Sequence, residues 1–369
     1  MQNLELDKLK EIIEINSWTK NKEGLDISAN IFASWLNDIG FTLHRHERAY
    51  IGDHLHFRSK SREGKKLLLL GHLDTVFPPN SFEGYREDDE WIYGAGVCDM
   101  KGGNFVAYKA LKNIYSEFGE IYNIDFLLVS DEETGSDDSK FLSAKLASNY
   151  DYCMVFEASG VNGEVVEARK GVGTFFIDIE GKASHAGNHY SDGVDANMEA
   201  SLKLIELVKL TNLEKETTLN VGKIEGGIGA NTISPHSKLT FELRYRDSSE
   251  KSRVLEAIDK IVAKSFVEGT KSTLSGGIQR DVMQPSKEQK EFIDKINTLC
   301  NIDLPLERRG GVSDANIISS CGVATLDGFG PYGDGDHTIH ERANKQSFIE
   351  RIELVTDIFR HFINGRFEE

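Results

Sequence analysis

At 369 residues the chain exceeds the size at which a single hydrophobic core usually stops growing, which predicts two domains of roughly 100–200 residues each, with room for one to be inserted in the other. Its composition, 39% hydrophobic with 34 glycines and only 6 prolines, is that of a folded globular protein and leaves no segment apolar-poor enough for long disorder. A formal net charge of −17 argues against nucleic acid or an anionic membrane as partner, since either requires a basic patch, and leaves the sign of a small substrate open.

In chain order, Met1 to Ser17 reads as an amphipathic charged stretch without the apolar run and small-residue cleavage site of a secretory signal, and no run approaches a membrane span. The four cysteines, Cys98, Cys153, Cys300 and Cys321, form no Cys-x-x-Cys pair; reduced structural thiols in a cytoplasmic protein are the expectation. His54 and His56 share one face of an exposed or half-buried strand. Leu67 to Leu70 leads into Gly71-His72, Ile124 to Val129 into Ser130 and the acids that follow, and Tyr152 to Phe156 into Glu157. These short apolar runs predict buried parallel strands. Between them Val106, Ala107, Ala110, Leu111 and Ile114 share one face of a helix over 103–115. Strand and helix alternating predicts an α/β sheet with both faces covered, in which ligands gather beyond the carboxyl ends of the strands.

From about Gly171 the pattern becomes strand (173–179), helix (194–210), strands (219–224 and 238–246), helix (250–266) and strand (273–279), a β-α-β-β-α-β order. A helical stretch from Ser286 and a glycine-rich region from Gly310 to Gly335 return to the first pattern. The expected division is therefore a catalytic domain over 1–170 and 283–369, interrupted by an inserted α+β domain over 171–282.

Chemistry-bearing side chains cluster at the predicted strand ends. His72 and Asp74 point to the same side of an extended segment, so the carboxylate can bond the ring nitrogen that is not on a metal. Asp99 follows the glycine-rich run GAGVC at 94–98, Asp131 to Glu133 supply adjacent acids, Glu157 another, and His337 and His340 lie in GPYGDGDHTIHE at 330–341. Taken singly, each cluster also reads as a structural hydrogen bond or a solvated loop. Together they offer the imidazoles and carboxylates that a zinc pair requires when thiolates are absent.

The motifs GHLDTVFPP (71–79), GAGVCDMKGG (94–103), DEETG (131–135), GKASHAG (181–187), NTISP (231–235) and His337 to Glu341, in this order, resemble the M20 metallopeptidases, and among them the carboxypeptidase G2-like group. The resemblance spans nearly the whole chain. It implies a zinc-peptidase-type mixed sheet with a lid or dimerisation domain inserted, and two Zn2+ per subunit, with Co2+ or Mn2+ as substitutes. Asp99 would bridge the two ions, His72 and Glu157 completing one site and Glu133 and His337 the other. His337, four residues before Glu341, fits the family pattern better than His340, which stands where relatives often carry an acid. Glu132 would be the general base, Asp74 would orient His72, and the Asp99-Met100 peptide would be cis. His185 would stabilise the oxyanion, reaching into the partner's site in a homodimer. Asn231 and Arg244 would hold the substrate's free carboxylate, with Gly310 and Gly311 admitting main-chain groups to the same end.

The expected activity is therefore removal of a C-terminal amino acid, glutamate first among the candidates, from small peptides or N-acyl amino acids. The alternatives are a deacylase resembling acetylornithine deacetylase or succinyl-diaminopimelate desuccinylase and, from another class, a metal-dependent binding protein without catalysis.

Overall fold

A computed structural model describes residues 4–368. The chain packs as two compact units: one comprises the residues up to Ala168, Pro285–Arg309 and the residues from Ser313 onward, the other Arg169–Gln284 with Gly310–Val312.

The first unit is built on a six-stranded mixed sheet containing β1 (Thr42–His46), β2 (His54–Arg58), β3 (Leu67–His72), β4 (Ile124–Val129), β5 (Tyr152–Val155) and β10 (Ala324–Leu326), in the order β1-β2-β4-β3-β5-β10. β3 runs parallel to both β4 and β5, and β5 to β10; β2 is antiparallel to its neighbours. Leu67, Leu68, Leu69 and Leu70 are all fully buried. Successive side chains of a strand face opposite ways, so both sheet faces are covered, and burying each leucine contributes about 1.5–3 kcal/mol. Helices α1 (Lys101–Phe118), α4 (Lys287–Cys300) and α5 (Lys345–Ile363) supply Phe105, Leu111, Phe292, Phe348 and Phe359 to the core that holds Leu67, Leu69, Phe126 and Met154.

One contact ties helix to sheet where the site forms. A Cβ on Gly103 would lie 1.8 Å from the carbonyl oxygen of Phe156, so glycine alone lets the first turn of α1 rest on the backbone that carries Glu157. His54 and His56, expected on an exposed or half-buried strand, are both buried. β2 is an inner strand, between β1 and β4, and each ring has a partner there: His54 Nε2 lies 3.0 Å from Asp138 Oδ1 and His56 Nε2 2.8 Å from the Tyr150 hydroxyl.

The second unit is a four-stranded antiparallel sheet of β6 (Gly171–Glu180), β7 (Thr218–Gly226), β8 (His236–Tyr245) and β9 (Lys271–Arg280), ordered β7-β8-β6-β9. With α2 (Ala196–Val208) and α3 (Ser248–Ala263) its element order is β-α-β-β-α-β. Leu239, Phe241, Leu243 and Tyr245 alternate inward along β8 and pack with Ala200, Leu207, Val254 and Ile258 of the helices. The helices begin at Asp195 and Asp247, whose carboxylates accept from the amides of Asn197 and Met198, and of Ser249 and Glu250; each thereby satisfies first-turn donors that have no partner within the helix.

Candidate metal centre

Three adjacent parallel strands end together. His72 of β3 is opposite Val129 of β4, and Leu70 of β3 opposite Val155 of β5, so the loops that follow carry Glu132 and Glu133 to one side of His72 and Glu157 to the other. Asp99 arrives from the turn before α1, and His337 from the loop after β10. Two groups of potential ligand atoms result, His72 with Asp99 and Glu157, and Asp99 with Glu133 and His337; within each group the atoms all lie within 4.8 Å of one another.

Asp99 belongs to both groups, one oxygen to each. Oδ1 lies 3.0 Å from His72 Nε2, and Oδ2 lies 3.2 Å from His337 Nε2. Glu157 Oε1 stands 3.7 Å from His72 Nε2, and Glu133 Oε2 3.1 Å from His337 Nε2. His340 enters neither group; its amide donates to Thr338 Oγ1. His337 holds a left-handed backbone, φ 62°, which for a residue other than glycine costs about 1–3 kcal/mol and persists only when the surroundings fix it. Here Thr338 donates its amide and hydroxyl to the Gly335 carbonyl, at 3.0 and 2.7 Å.

The electrostatics mark a place that wants a cation. Burial and the Asp99 charge push the Glu157 carboxyl well above its ordinary range and that of Glu133 up to about 7. Hydrogen bonds that His337 donates to the Asp99 and Glu133 carboxylates raise its imidazole to about 11. Burial acts on Asp99 in the same upward sense, yet its bonds to His337 and His72 hold its carboxyl below the usual range. Crowded acids and imidazoles that retain protons are what a divalent ion would relieve, and an all-nitrogen-and-oxygen donor set suits zinc. The residues present thus fit a metal pair.

Around these donors lies a buried supporting shell. His72 Nδ1 lies 2.9 Å from the main-chain carbonyl of Asp74 and 3.4 Å from its carboxylate. That carboxylate, which faces the imidazole, also accepts from Thr19 Oγ1 at 2.8 Å and from the amides of Glu132 and Glu133 at 3.2 and 3.1 Å. Asp74 thus pins the turn that carries the acids. Glu132 is 8% exposed and belongs to neither donor group. The Asp99-Met100 peptide is cis.

Sequence reasoning assigned no supporting role to Glu341, which is 1% exposed. Its carboxylate accepts the amides of Gly96, Cys98 and Asp99 at 3.0, 2.9 and 3.0 Å, so it cradles the loop presenting Asp99. Burial pushes its acid up to about 8, and either protonation state leaves lone pairs for those donors. Asn104 and Lys101 were missed as well: Asn104 donates to the His72 carbonyl at 2.6 Å, and Lys101 Nζ to the carbonyls of Ile12 and Ile15 at 3.0 and 2.7 Å. The legible clue was the run from Gly94 to Cys98, rich in amides that need acceptors.

In the second unit, His185 and Asn231 come together: His185 bridges to Thr232, and the Ala186 amide donates to the Asn231 carbonyl at 2.9 Å. The amides of Gly187 and Asn188 both donate to His185 Nδ1, at 3.1 and 3.2 Å, which leaves Nε2 to carry the proton of the neutral ring. Arg244 is engaged: Nε and Nη2 donate to Glu242 at 2.7 and 3.3 Å, and Nη1 to the Gly310 carbonyl at 3.0 Å. The Gly311 carbonyl accepts from Arg169 at 3.1 Å.

Among the described residues no helix is long and apolar enough to cross a membrane. The chain is 27% identical over 341 residues to carboxypeptidase G2 of Pseudomonas sp. (strain RS-16), covering 89% of this chain and 82% of that protein. It is 25% identical over 330 residues to succinyl-diaminopimelate desuccinylase of Wolbachia sp. subsp. Brugia malayi (strain TRS), covering 82% and 79%. Among solved structures, aminopeptidase PepT from Bacillus cereus ATCC 10987 shares the fold, with a TM-score of 0.80 at 21% identity over 98% of this chain and 99% of that one. The profile of Peptidase family M20/M25/M40 matches residues 68–363, well over half the chain, and the chain therefore belongs to that family, as a hydrolase of peptide or amide bonds.

Proposed function

We propose that the protein is a di-zinc carboxypeptidase that hydrolyses the amide bond before a C-terminal amino acid, glutamate first among them, of small peptides or N-acyl amino acids. The observation that carries this reading is Asp99, whose two oxygens face two different donor groups. The likeness to carboxypeptidase G2 supports the choice of substrate; the likeness to a desuccinylase supports an N-acyl amino acid deacylase as the second reading.

When bound, a metal pair would polarise the scissile carbonyl and acidify a water molecule. Glu132 takes that water's proton as the carbon–oxygen bond forms, then passes it to the departing nitrogen as the carbon–nitrogen bond breaks. His185, with Nε2–H directed away from the amides that hold Nδ1, donates to the oxyanion. Asn231 and Arg244 receive the free carboxylate, with Gly310 and Gly311 shaping that end; for this Arg244 exchanges Glu242 for the substrate's planar acid, a geometry its fork matches.

The test is turnover of the zinc-loaded protein on dipeptides and acyl amino acids varied at the C-terminal residue, beside N-succinyl-diaminopimelate and N-acetylornithine. Arg244→Ala is expected to raise KM for substrates with a free α-carboxylate by about 10- to 100-fold, a charge-assisted bond contributing about 1.5–3 kcal/mol, and to spare a C-terminally blocked analogue. Equal loss on both would remove the carboxylate clamp from the scheme.

The reading includes a homodimer in a cytoplasmic setting, the latter supported by four unpaired cysteines. The dimer is supported by apolar side chains that α2 and the edge strand β7 leave exposed, among them Met198, Ile205, Val208 and Ile224. A second copy would cover both the side chains and the unpaired strand edge. Light scattering should give twice the chain mass, and Ile205→Glu the single mass; a wild-type monomer at micromolar concentration would rule the dimer out.

A further inference from the structure

Away from the centre just described, the described residues contain one more group with metal-ligand spacing, Cys300, Asp357 and His361, whose donor atoms all lie within 4.8 Å of one another. Cys300 is the last residue of α4, and Asp357 and His361 stand four apart on α5, a spacing that puts two side chains on one helix face. We propose that these three side chains form a separate, half-buried site for a zinc-class divalent ion.

Several features beyond proximity support it. A tetrahedral ion with sulfur at ~2.3 Å and nitrogen or oxygen at ~2.0–2.2 Å needs donors about 3.3–3.6 Å apart, and Asp357 Oδ2 stands 4.0 Å from His361 Nε2, within reach of a small rotamer adjustment. The two oxygens of Asp357 divide their work: Oδ1 accepts from Arg360 Nη1 at 2.8 Å, which holds the carboxylate in place while Oδ2 faces the imidazole. The Cys300 sulfur lies within 4.8 Å of both the Asp357 and His361 donor atoms, so sulfur, oxygen and nitrogen converge from two helices. The three residues are neither sealed in the core nor fully exposed, and Cys300 and Asp357 line a hollow of about 540 Å³ whose wall also carries Glu350 and Glu353. Arg360 lines the same hollow, which gives an ion an entry path and room for a water as fourth ligand.

The donor chemistry selects the ion. A thiolate beside imidazole and carboxylate favours zinc and its soft or borderline neighbours over magnesium or calcium, which take oxygen ligands. On binding, the sulfur–metal bond forms as the S–H bond breaks and the proton leaves to buffer, so no oxidant or reductant takes part. The ion would join the end of α4 to the last helix of the chain, a structural role apart from hydrolysis.

Sulfur makes the site separable by experiment, because the two donor groups that share Asp99 contain none. Chelator-treated protein titrated with Co2+ should develop a thiolate-to-cobalt charge-transfer band in the near ultraviolet, and Cys300→Ser should lose it while keeping the visible cobalt bands. After zinc loading and dialysis, wild type should retain one zinc more per chain than Cys300→Ser, with peptidase turnover equal in the two. His361→Ala, at a partly exposed position, provides a second variant should Cys300→Ser fold poorly, and it should also lose the extra zinc. Absence of the band, its persistence in both variants, or equal zinc content in wild type and variants would overturn the proposal.

Discussion

Glu132→Gln is expected to lower kcat by about 10²–10⁴-fold, the usual contribution of a positioned proton-transfer group, while metal content and KM stay near wild type. The two side chains are nearly isosteric, so a residue only 8% exposed keeps its packing, and its amide keeps the bond to Asp74 Oδ1. Because Glu132 belongs to neither donor group, removing its charge takes no ligand from a metal. What glutamine cannot do is accept a proton from water and return it to an amine nitrogen. The measurement pairs elemental analysis with steady-state kinetics at saturating substrate. Full metal with near-normal turnover would move the base elsewhere, whereas lost metal would make Glu132 part of the coordination frame.

A comparably large effect is expected at Glu341, through stability and metal affinity together. Glu341→Ala strands three main-chain donors, those of Gly96, Cys98 and Asp99, in an interior where each unpaired amide costs about 1–3 kcal/mol. Even with partial relaxation of the loop, the loss should reach about 3 kcal/mol, a large share of the roughly 5–15 kcal/mol that holds most domains folded. Asp99 follows this loop directly, so metal affinity should also fall, by about 10- to 100-fold as for other outer-shell partners. Glu341→Gln should fall between the two, since an amide retains one acceptor oxygen but turns its NH2 toward at least one of the donors. Thermal melts and metal competition with a chelator read the two losses separately; an alanine variant that melts and binds metal like wild type would show that water can replace the cradle.

How legible the site was depended on whether its signals are local. Leu67 to Leu70 and Ile124 to Val129 announce buried strands by run length alone, and the polar residues just beyond them, His72 and Glu133, fall where parallel sheets collect ligands. The alternation of the second unit is equally local: Leu239, Phe241, Leu243 and Tyr245 repeat at period two. Partnerships across the chain carry no such mark. Nothing near Glu341 reveals that its acceptors serve amides 242 to 245 positions earlier, or that Thr19 bonds Asp74. A local pair can also do more than its spacing shows. The His72-x-Asp74 spacing suggests a carboxylate on the ring, and Asp74 stands against Nδ1 with both its carboxylate and its main-chain carbonyl, but nothing in the spacing shows that the same carboxylate also receives the amides of Glu132 and Glu133. His54 and His56 looked like surface residues because an alternating polar strand reads so unless one knows that β1 lies outside it.

The cradle at Glu341 also sets an order of events in the making of the protein. A ribosome delivers the chain N-terminus first, at about 5–20 residues per second, and the amides of Gly96, Cys98 and Asp99 leave it more than 240 residues before the acid that receives them. His337 comes only four residues ahead of that acid. Until residue 341 has emerged, the nascent polypeptide therefore carries Asp99 on a loop whose amides lack the acid that receives them, and the hydrolytic centre can close only after that point. Such late assembly keeps a partly made peptidase inert, and any chain released before residue 341 should never acquire activity.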